Sequence, residues 1–593
     1  MTATAEPTVL AQVARAGRSA TNRRRARAGR LFVAPNLVAV AVFTLFPLGF
    51  SLYMSFQRWD VFTPPKFVGL SNFRNLFTAD PLFLIALTNT VVFTLGSVVP
   101  TVVISLVVAA LLNRKIKGIG LFRTAAFLPL AVSSVVIAVV WQFVFNTDNG
   151  LLNIMLGWIG ISPIPWLVDP KWAMVSLCLV SVWKSVPFAT VVLLAAMQGV
   201  PDTLYEAARI DGAGEIRQFV SITVPLIRGA VSFVVVISII HAFQAFDLVY
   251  VLTGRNGGPE TGTYVLGIML FQHAFGFLEF GYASALAWVM FAILLALTVL
   301  QLRFARGDPG RWTVVSAERM IKHGVLRGVA LYVALTAIAW CALFPILWAL
   351  SGSLKSEGEV SMPTLLPSHP RWSNYAEVFT LIPLGRMFFN TVLYAGCVTA
   401  GQVFFCSLAG YAFARLRFRG RDALFVLYLG TLMVPLTVTV IPQFILMRLF
   451  GWTDTPWAMI VPGLFGTAFG TYLMRQFFRT LPVELEEAAI LDGCTPWQIY
   501  WRILLPHTRP ALMVLAVLTW VNVWNDFLWP LVMIQRNSIA TLTLGLVRMQ
   551  GEYVARWPVL MAASMLILLP LVVVYAVAQR SFIRGIAVSG LGG

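Results

Sequence analysis

The stretch Glu206-Ala207-Ala208-Arg209-Ile210-Asp211-Gly212 returns as Glu487-Ala488-Ala489-Ile490-Leu491-Asp492-Gly493. A proline follows each at the same distance, Pro225 and Pro506. A polar stretch repeated with its spacing intact marks a chain built from two copies of one unit. Shorter words recur in the same order on either side. Leu45-Phe46-Pro47 answers Leu343-Phe344-Pro345, Ser71-Asn72-Phe73 answers Ser373-Asn374-Tyr375, and Asn89-Thr90 answers Asn390-Thr391. The first copy carries extra residues around Ser162-Pro163-Ile164-Pro165-Trp166.

The repeated loops lie between long uncharged stretches. Of 593 residues, 59% are hydrophobic and 11% charged, with mean hydropathy +0.81. A soluble domain carries about 25% charged residues, so too few remain here to cover a water-facing surface. A soluble enzyme and a disordered chain are excluded. Outer-membrane barrels alternate apolar and polar residues in strands of about 10, whereas these stretches are unbroken. A helix crossing ~30 Å of hydrocarbon needs roughly 20 apolar residues. One such span fits between Arg30 and Arg58, Asp80 and Arg114, Arg123 and Asp148, and Glu279 and Arg303. Others fit between Arg327 and Lys355, Arg386 and Arg415, Asp422 and Arg448, Asp454 and Arg475, and Arg556 and Arg580. Three more, near 172–196, 229–251 and 510–533, hold one ionisable residue each: Lys184, Asp247 and Asp526.

The sequence therefore predicts an all-α integral membrane protein of about twelve transmembrane helices, arranged as two homologous six-helix bundles. Residues 1–30 form a basic tail, 31–302 the first transmembrane domain, 303–327 a linker and 328–593 the second domain. The linker contains Gly307-Asp308-Pro309-Gly310, a loop signal. The tail has no apolar core, so it reads as a positive anchor without fixed structure rather than a cleavable signal peptide.

Lys and Arg number 43 against 25 Asp and Glu, a net charge of +18. The excess sits in short loops and not on a face for nucleic acid. Arg15, Arg18, Arg23, Arg24, Arg25, Arg27 and Arg30 precede the first span. Arg114, Lys115, Lys117 and Arg123 follow the second, and Arg415, Arg417, Arg419 and Arg421 follow the eighth. With twelve spans these clusters share one side, which places both termini and both repeated loops in the cytoplasm. The five cysteines are scattered, and neither a disulfide frame nor a metal site is expected. His241 and His273 lack a carboxylate or Cys at ligand spacing.

Each repeated loop suits two short helices joined at a glycine. Asp202 favours a helix start and Gly212 or Gly493 a left-handed stop. The product is a compact knob lying along the membrane. Its Ala pair lets a partner's backbone approach, and its Glu and Asp offer charges to a partner's Arg or Lys. A plain amphipathic linker would also explain one such loop. Two loops with the same spacing, at the same place in both halves, do not suit that explanation.

These loops resemble the E-A-A-x3-G-x9-I-x-L-P signature of bacterial ABC importer permeases. The second copy fits at Glu487, Ala488, Ala489, Gly493, Ile503, Leu505 and Pro506; the first fits at Glu206, Ala207, Ala208, Gly212, Ile222 and Pro225, with Val224 in place of Leu. More specifically the chain resembles carbohydrate-uptake permeases of the maltose and glycerol-phosphate type. The residues concerned include Phe67-Val68-Gly69-Leu70-Ser71-Asn72-Phe73, Trp183-Lys184, Phe246-Asp247-Leu248-Val249-Tyr250, Gly410-Tyr411-Ala412-Phe413-Ala414-Arg415, and Trp524-Asn525-Asp526-Phe527-Leu528-Trp529-Pro530. The two permeases, usually separate chains in that family, stand here as one.

The resemblance implies a bacterial cytoplasmic-membrane permease subunit and not an enzyme. Its coupling residues would be Glu206, Ala207, Ala208, Asp211, Gly212 and Pro225, with Glu487, Ala488, Ala489, Asp492, Gly493 and Pro506. They would dock on a cytoplasmic ABC ATPase dimer, and an external solute-binding protein would deliver carbohydrate. The chain has no Gly-rich phosphate loop with its Lys, so no cofactor is expected on it directly, and ATP with Mg belongs to the partner.

Residues expected along the substrate path are Lys184, Gln244, Asp247, Asn522, Trp524, Asn525 and Asp526. They combine the amides, carboxylates and aromatic faces that suit sugars. An ionisable residue at a helix centre costs roughly 2.5–3.5 kcal/mol on insertion scales. Lys184 therefore either faces a wet interior near Asp247, or forms a structural pair or snorkels. A twelve-span secondary carrier of the major-facilitator type is the rival. Its Gly-x3-Asp-Arg-x-Gly-Arg loop is only imitated at Gly410–Arg419, where Ala414 replaces the Asp. A membrane-embedded glycosyltransferase would need a carboxylate cluster at one membrane face, and none is evident.

Overall fold

The computed structural model describes residues 9–60, 62–114, 116–305, 324–362, 364–552 and 556–590. The linker expected at 303–327 and the first eight residues of the tail lie largely or wholly outside this set. Among the described residues the chain is helical apart from one two-stranded ribbon, Gln57–Arg58 against Lys66–Phe67.

Among the described residues eight helices are long and apolar enough to cross a membrane, and the number is twelve when each of four bent helix pairs is one span. The tail joins the first of them. Val9–Val40 is one helix, where the sequence suggested no fixed structure. Ala and Arg are both strong helix formers, and the apolar span that follows supplies a ready nucleus.

The bends recur at equivalent places. The third span of the first repeat turns by 100° between Ile119–Ala131 and Ser134–Val144. Its counterpart turns by 97° between Arg421–Met433 and Leu436–Leu449. Ser133 caps the restarted helix in the first, and Pro435, extended at ψ 145°, precedes it in the second. Proline lacks a donor and drives the residue before it away from helix.

The fifth spans are shorter than the sequence suggests. The helix Arg228–Phe243 stops before Asp247, and Arg509–Trp524 stops before Asp526. Phe246 and Phe527 take non-helical backbone angles, and short helices Asp247–Leu252 and Leu528–Met533 follow. Sixteen residues reach only about 24 Å. Asp247 and Asp526 therefore sit at helix breaks and not within continuous spans.

Two compact units emerge. One joins residues 1–50 to 392–524; the other joins 51–391 to 525–593. The sequence repeat and the packing units thus divide the chain differently. In the first unit Val33, Tyr411, Phe413, Tyr428, Phe478 and Tyr500 share a core. Asn36 Nδ2 there donates to the Tyr428 hydroxyl at 3.3 Å.

In the second unit the repeated words act as pins. Asn72 donates to the carbonyls of Ser55 and Gln57 at 2.9 and 2.8 Å. Asn374 does the same for Ser353 and Lys355, at 2.9 and 2.8 Å. Asn89 holds the Thr261 and Tyr264 carbonyls, and Asn390 those of Ser538 and Ala540. The hydroxyls of Thr90 and Thr391 accept from Leu266 N and Leu542 N, both at 3.0 Å. A buried backbone group left unpaired costs about 1–3 kcal/mol. These side chains satisfy backbone where the helices break.

Candidate functional site

The two repeated loops fold alike. In the first, Asp202–Ile210 is a helix with an acid in its opening turn and Arg209 in its last, as the helix dipole favours. Gly212 follows at φ +76°. Gly212 N donates to the Arg209 carbonyl at 3.1 Å, and Ala213 N to that of Ala208 at 2.8 Å. In the second, Glu484–Leu491 leads to Gly493 at φ +78°. Gly493 N donates to the Ile490 carbonyl at 3.0 Å, and Cys494 N to that of Ala489 at 2.9 Å. Both are Schellman stops, which need a residue comfortable in the left-handed region.

A second helical stretch then begins. It starts at Glu215 in the first loop and at Pro496 in the second, where Thr495 and Gln498 cap each other reciprocally. Each passes through a wide π turn, Phe219–Thr223 or Ile499–Leu504, before Pro225 or Pro506. The chain then bends by 71° or 80° into the fifth span of its repeat. The hydroxyls of Tyr205 and Thr223 meet at 2.9 Å within the first loop, and Tyr500 of the second meets Ser407 of the helix Leu384–Arg415 at 2.8 Å.

Exposure sorts the signature residues. Glu206, Ala207, Asp211, Glu487, Ala488 and Asp492 are exposed. The second alanine of each pair turns inward instead: Ala208 is half-buried and Ala489 only 4% exposed. Only the first alanine of each pair therefore faces outward. The sequence reading passed over Ile210 and Leu491. They are 87% and 88% exposed and hold equivalent positions at the two knob tips. The available signal was an apolar residue directly before the Asp-Gly pair of each loop.

The residues expected along the path are placed less uniformly. Lys184 lies midway along the helix Pro170–Gln198, and its ammonium donates to Ser134 Oγ at the restart of the bent third span. It interacts electrostatically with Asp247, though the two make no direct ion pair among the described residues. Gln244 ends the fifth helix. Asn522 is exposed. Trp524 is 1% exposed and stacks on Trp520 at 5.7 Å, so it is a core residue and not a lining one. Asn525 donates to the Ala131 carbonyl at 3.2 Å, and the Asp526 carbonyl accepts from Thr543 at 2.8 Å. Phe246 and Phe527, one from each repeat and in equivalent positions, stack at 6.4 Å. His273 has carboxylate neighbours that sequence spacing did not reveal: Glu279 at 2.8 Å and Asp80 at 3.8 Å.

Lys184 and Asp247 lie near enough to feel each other's charge, so removing one takes away part of the other's compensation. Lys184→Met and Asp247→Asn should each lower the yield of folded chain or its transport rate. The double variant should recover part of the loss, because breaking a pair costs more than replacing it. A double variant that loses as much as the two single variants combined, read by transport per milligram of purified protein, would show that the two act independently.

Two stretches, residues 101–307 and 406–588, each match the profile of the family described as binding-protein-dependent transport system inner membrane component. The chain belongs to this family. It is two ABC permeases in one polypeptide. The fused permease is 41% identical over 279 residues to a probable ABC transporter permease protein, YurN, of Bacillus subtilis. That alignment covers 46% of the fused chain and 94% of YurN. It is 35% identical over 284 residues to the trehalose/maltose transport system permease protein MalF of Thermococcus litoralis, covering 48% and 95%. It is also 35% identical over 278 residues to the sn-glycerol-3-phosphate transport system permease protein UgpA of Yersinia pestis, covering 46% and 92%. A solved bacterial ABC transporter involved in the import of the acidic polysaccharide alginate aligns at 25% identity with a TM-score of 0.39, covering 44% of the fused permease and 99% of that chain. Each permease relative thus uses nearly its whole length to match less than half of the fused chain.

Proposed function

We propose that the fused permease is the complete translocation pathway of an importer for sugars or related carbohydrates. Separate ATP-hydrolysing subunits grip its two loops, one over 202–226 and one over 484–507. An external solute-binding protein delivers the cargo. The loops and both termini face the cytoplasm, the side favoured by the basic clusters. ATP and Mg are held by the partner subunits. Membership of the family and the names of relatives, which include trehalose, maltose and glycerol phosphate, support the cargo class.

The observation that carries this reading is the pairing of the knobs. Two loops far apart in sequence end their first helix with the same Schellman turn. Both also present one nearly bare aliphatic side chain at the tip. A nearly bare aliphatic side chain gains about 1.5–3 kcal/mol only when a partner buries it, which suits a docking contact. In this mechanism the motor subunits close on ATP and drag the knobs. Each knob runs through its π turn into the bent fifth span of its repeat. A rigid connection of this kind passes motion to the helix break at Phe246 or Phe527.

Purification of a tagged chain from native membranes tests the reading. The expected result is co-purification of an ATP-hydrolysing subunit, with uptake that requires ATP and a binding protein. The ligand recovered from that binding protein should be a carbohydrate. A chain that purifies alone and drives uptake from an ion gradient would favour the secondary-carrier alternative.

A further inference from the structure

The two knobs are not held alike. The helix of the N-terminal arm reaches the second knob and touches both of its halves. Arg25 donates to the Glu486 carboxylate, whose side chain is 5% exposed while that of Arg25 is 29% exposed. Glu486 also feels the charge of Arg415, whose guanidinium is fixed by bonds to the carbonyls of Phe478 and Leu481. One carboxylate of the knob's first helix thus answers two arginines, one from each repeat. Beyond the Gly493 turn, Phe32 of the arm packs edge-on against Trp497 at 5.8 Å and lies 6.2 Å from the rings of Tyr411 and Tyr500. The fit is close: a Cβ at Gly29 would lie 2.5 Å from the Phe418 ring.

The first knob lacks this charge. The position equivalent to Glu486 is Tyr205, which is half-buried and bonds within its own loop to Thr223. Burial raises the Glu486 carboxyl above its ordinary pKa, against the pull of Arg25 and Arg415. Without Arg25 the carboxylate would be buried with less compensation.

We propose that Arg25 and Glu486 are positioning residues for energy coupling: the arm of the first repeat clamps the second knob, so that a pull on this knob moves the first span directly. The two handles are mechanically unequal in consequence. The second engages helices of both repeats, whereas the first bonds to its own repeat, through Tyr205 to Thr223 and through Glu215 to Arg114 at 2.7 Å. This inference rests on the reading that the knobs are the grips of an ATP-hydrolysing partner.

The test uses the full chain reconstituted with its ATPase and binding protein, and it reads both ATPase capture and cargo moved per ATP hydrolysed. Arg25→Glu and Glu486→Arg should each lower cargo per ATP by about tenfold, less than the loss of a fully buried pair because the Arg25 side chain is 29% exposed. The double swap should restore most of it, and Arg25→Lys should stay close to wild type. Wild-type ratios in both single variants, or a double swap no better than the worse single, would overturn the clamp. If the reversals fail to accumulate, Arg25→Gln against Arg25→Lys makes the same comparison. Loss with Gln and retention with Lys supports the clamp, and equal values overturn it. Failure of the wild-type chain to capture any ATPase would overturn the grip reading and this proposal together. Normal capture with an unchanged ratio would overturn the clamp alone.

Discussion

A chain carrying Ile210→Asp and Leu491→Asp should insert and fold like the wild type and yet retain no ATPase subunit through purification. Both side chains are almost fully exposed, at 87% and 88%, so neither contributes to a core that the change could disrupt. A docking anchor in a desolvated pocket is worth about 2 kcal/mol or more, which is roughly 30-fold in affinity. An aspartate there adds a desolvation cost. The two tips belong to different loops, so their effects should combine nearly additively. Each single variant should weaken capture by about 30-fold, and the pair by about 1000-fold. Leu366→Asp makes the control, since Leu366 is 79% exposed but outside the loops. It should leave capture unchanged. Size-exclusion profiles of the purified chains would confirm that folding is intact.

The second large effect concerns the turn at each knob. Gly212→Val and Gly493→Val should cut ATP hydrolysis stimulated by loaded binding protein, while Gly212→Asn and Gly493→Asn should largely preserve it. Both glycines sit at φ near +77°, at +76° and +78°. A Cβ added at either meets nothing within 4 Å. Space is therefore not the constraint; backbone conformation is. A left-handed residue with a side chain costs about 1–2 kcal/mol, most for β-branched residues and least for Asn. That corresponds to about 5- to 30-fold at each site. If Asn were as damaging as Val, the glycines would be needed for contact with the partner and not for their φ.

Much of this architecture is legible in the sequence because it is repeated. The words Ser71-Asn72, Ser373-Asn374, Asn89-Thr90 and Asn390-Thr391 stood out as matches, and the structure gives each pair one job, pinning backbone where helices break. The loops were legible for a local reason. Their caps and stops depend on neighbours a few residues away, and Asp202, Gly212 and Gly493 announce them.

What stayed hidden has two physical causes. Breaks inside apolar stretches do not change hydropathy. The chain from Phe243 to Leu252 is apolar enough to read as one span, with neither proline nor glycine to mark the non-helical Phe246. Trp524 looked like a sugar platform by composition, but burial depends on neighbours from other helices. Pairings distant in sequence were equally invisible. Arg25 and Glu486 lie 461 residues apart, and Asp80 reaches His273 only through the fold. The division of the chain into packing units belongs to the same class. Residues 31–50 read as the opening of the first transmembrane domain and yet pack in one unit with residues 392–524 of the second.

If motor subunits grip the knobs, both knob tips touch them. Photoreactive residues placed singly at 210 and 491, activated in native membranes and traced by mass spectrometry, measure that contact. The expected result is a cross-link from each position to an ATP-hydrolysing subunit. Adducts with lipid alone, or with proteins on the outer face of the membrane, would contradict it.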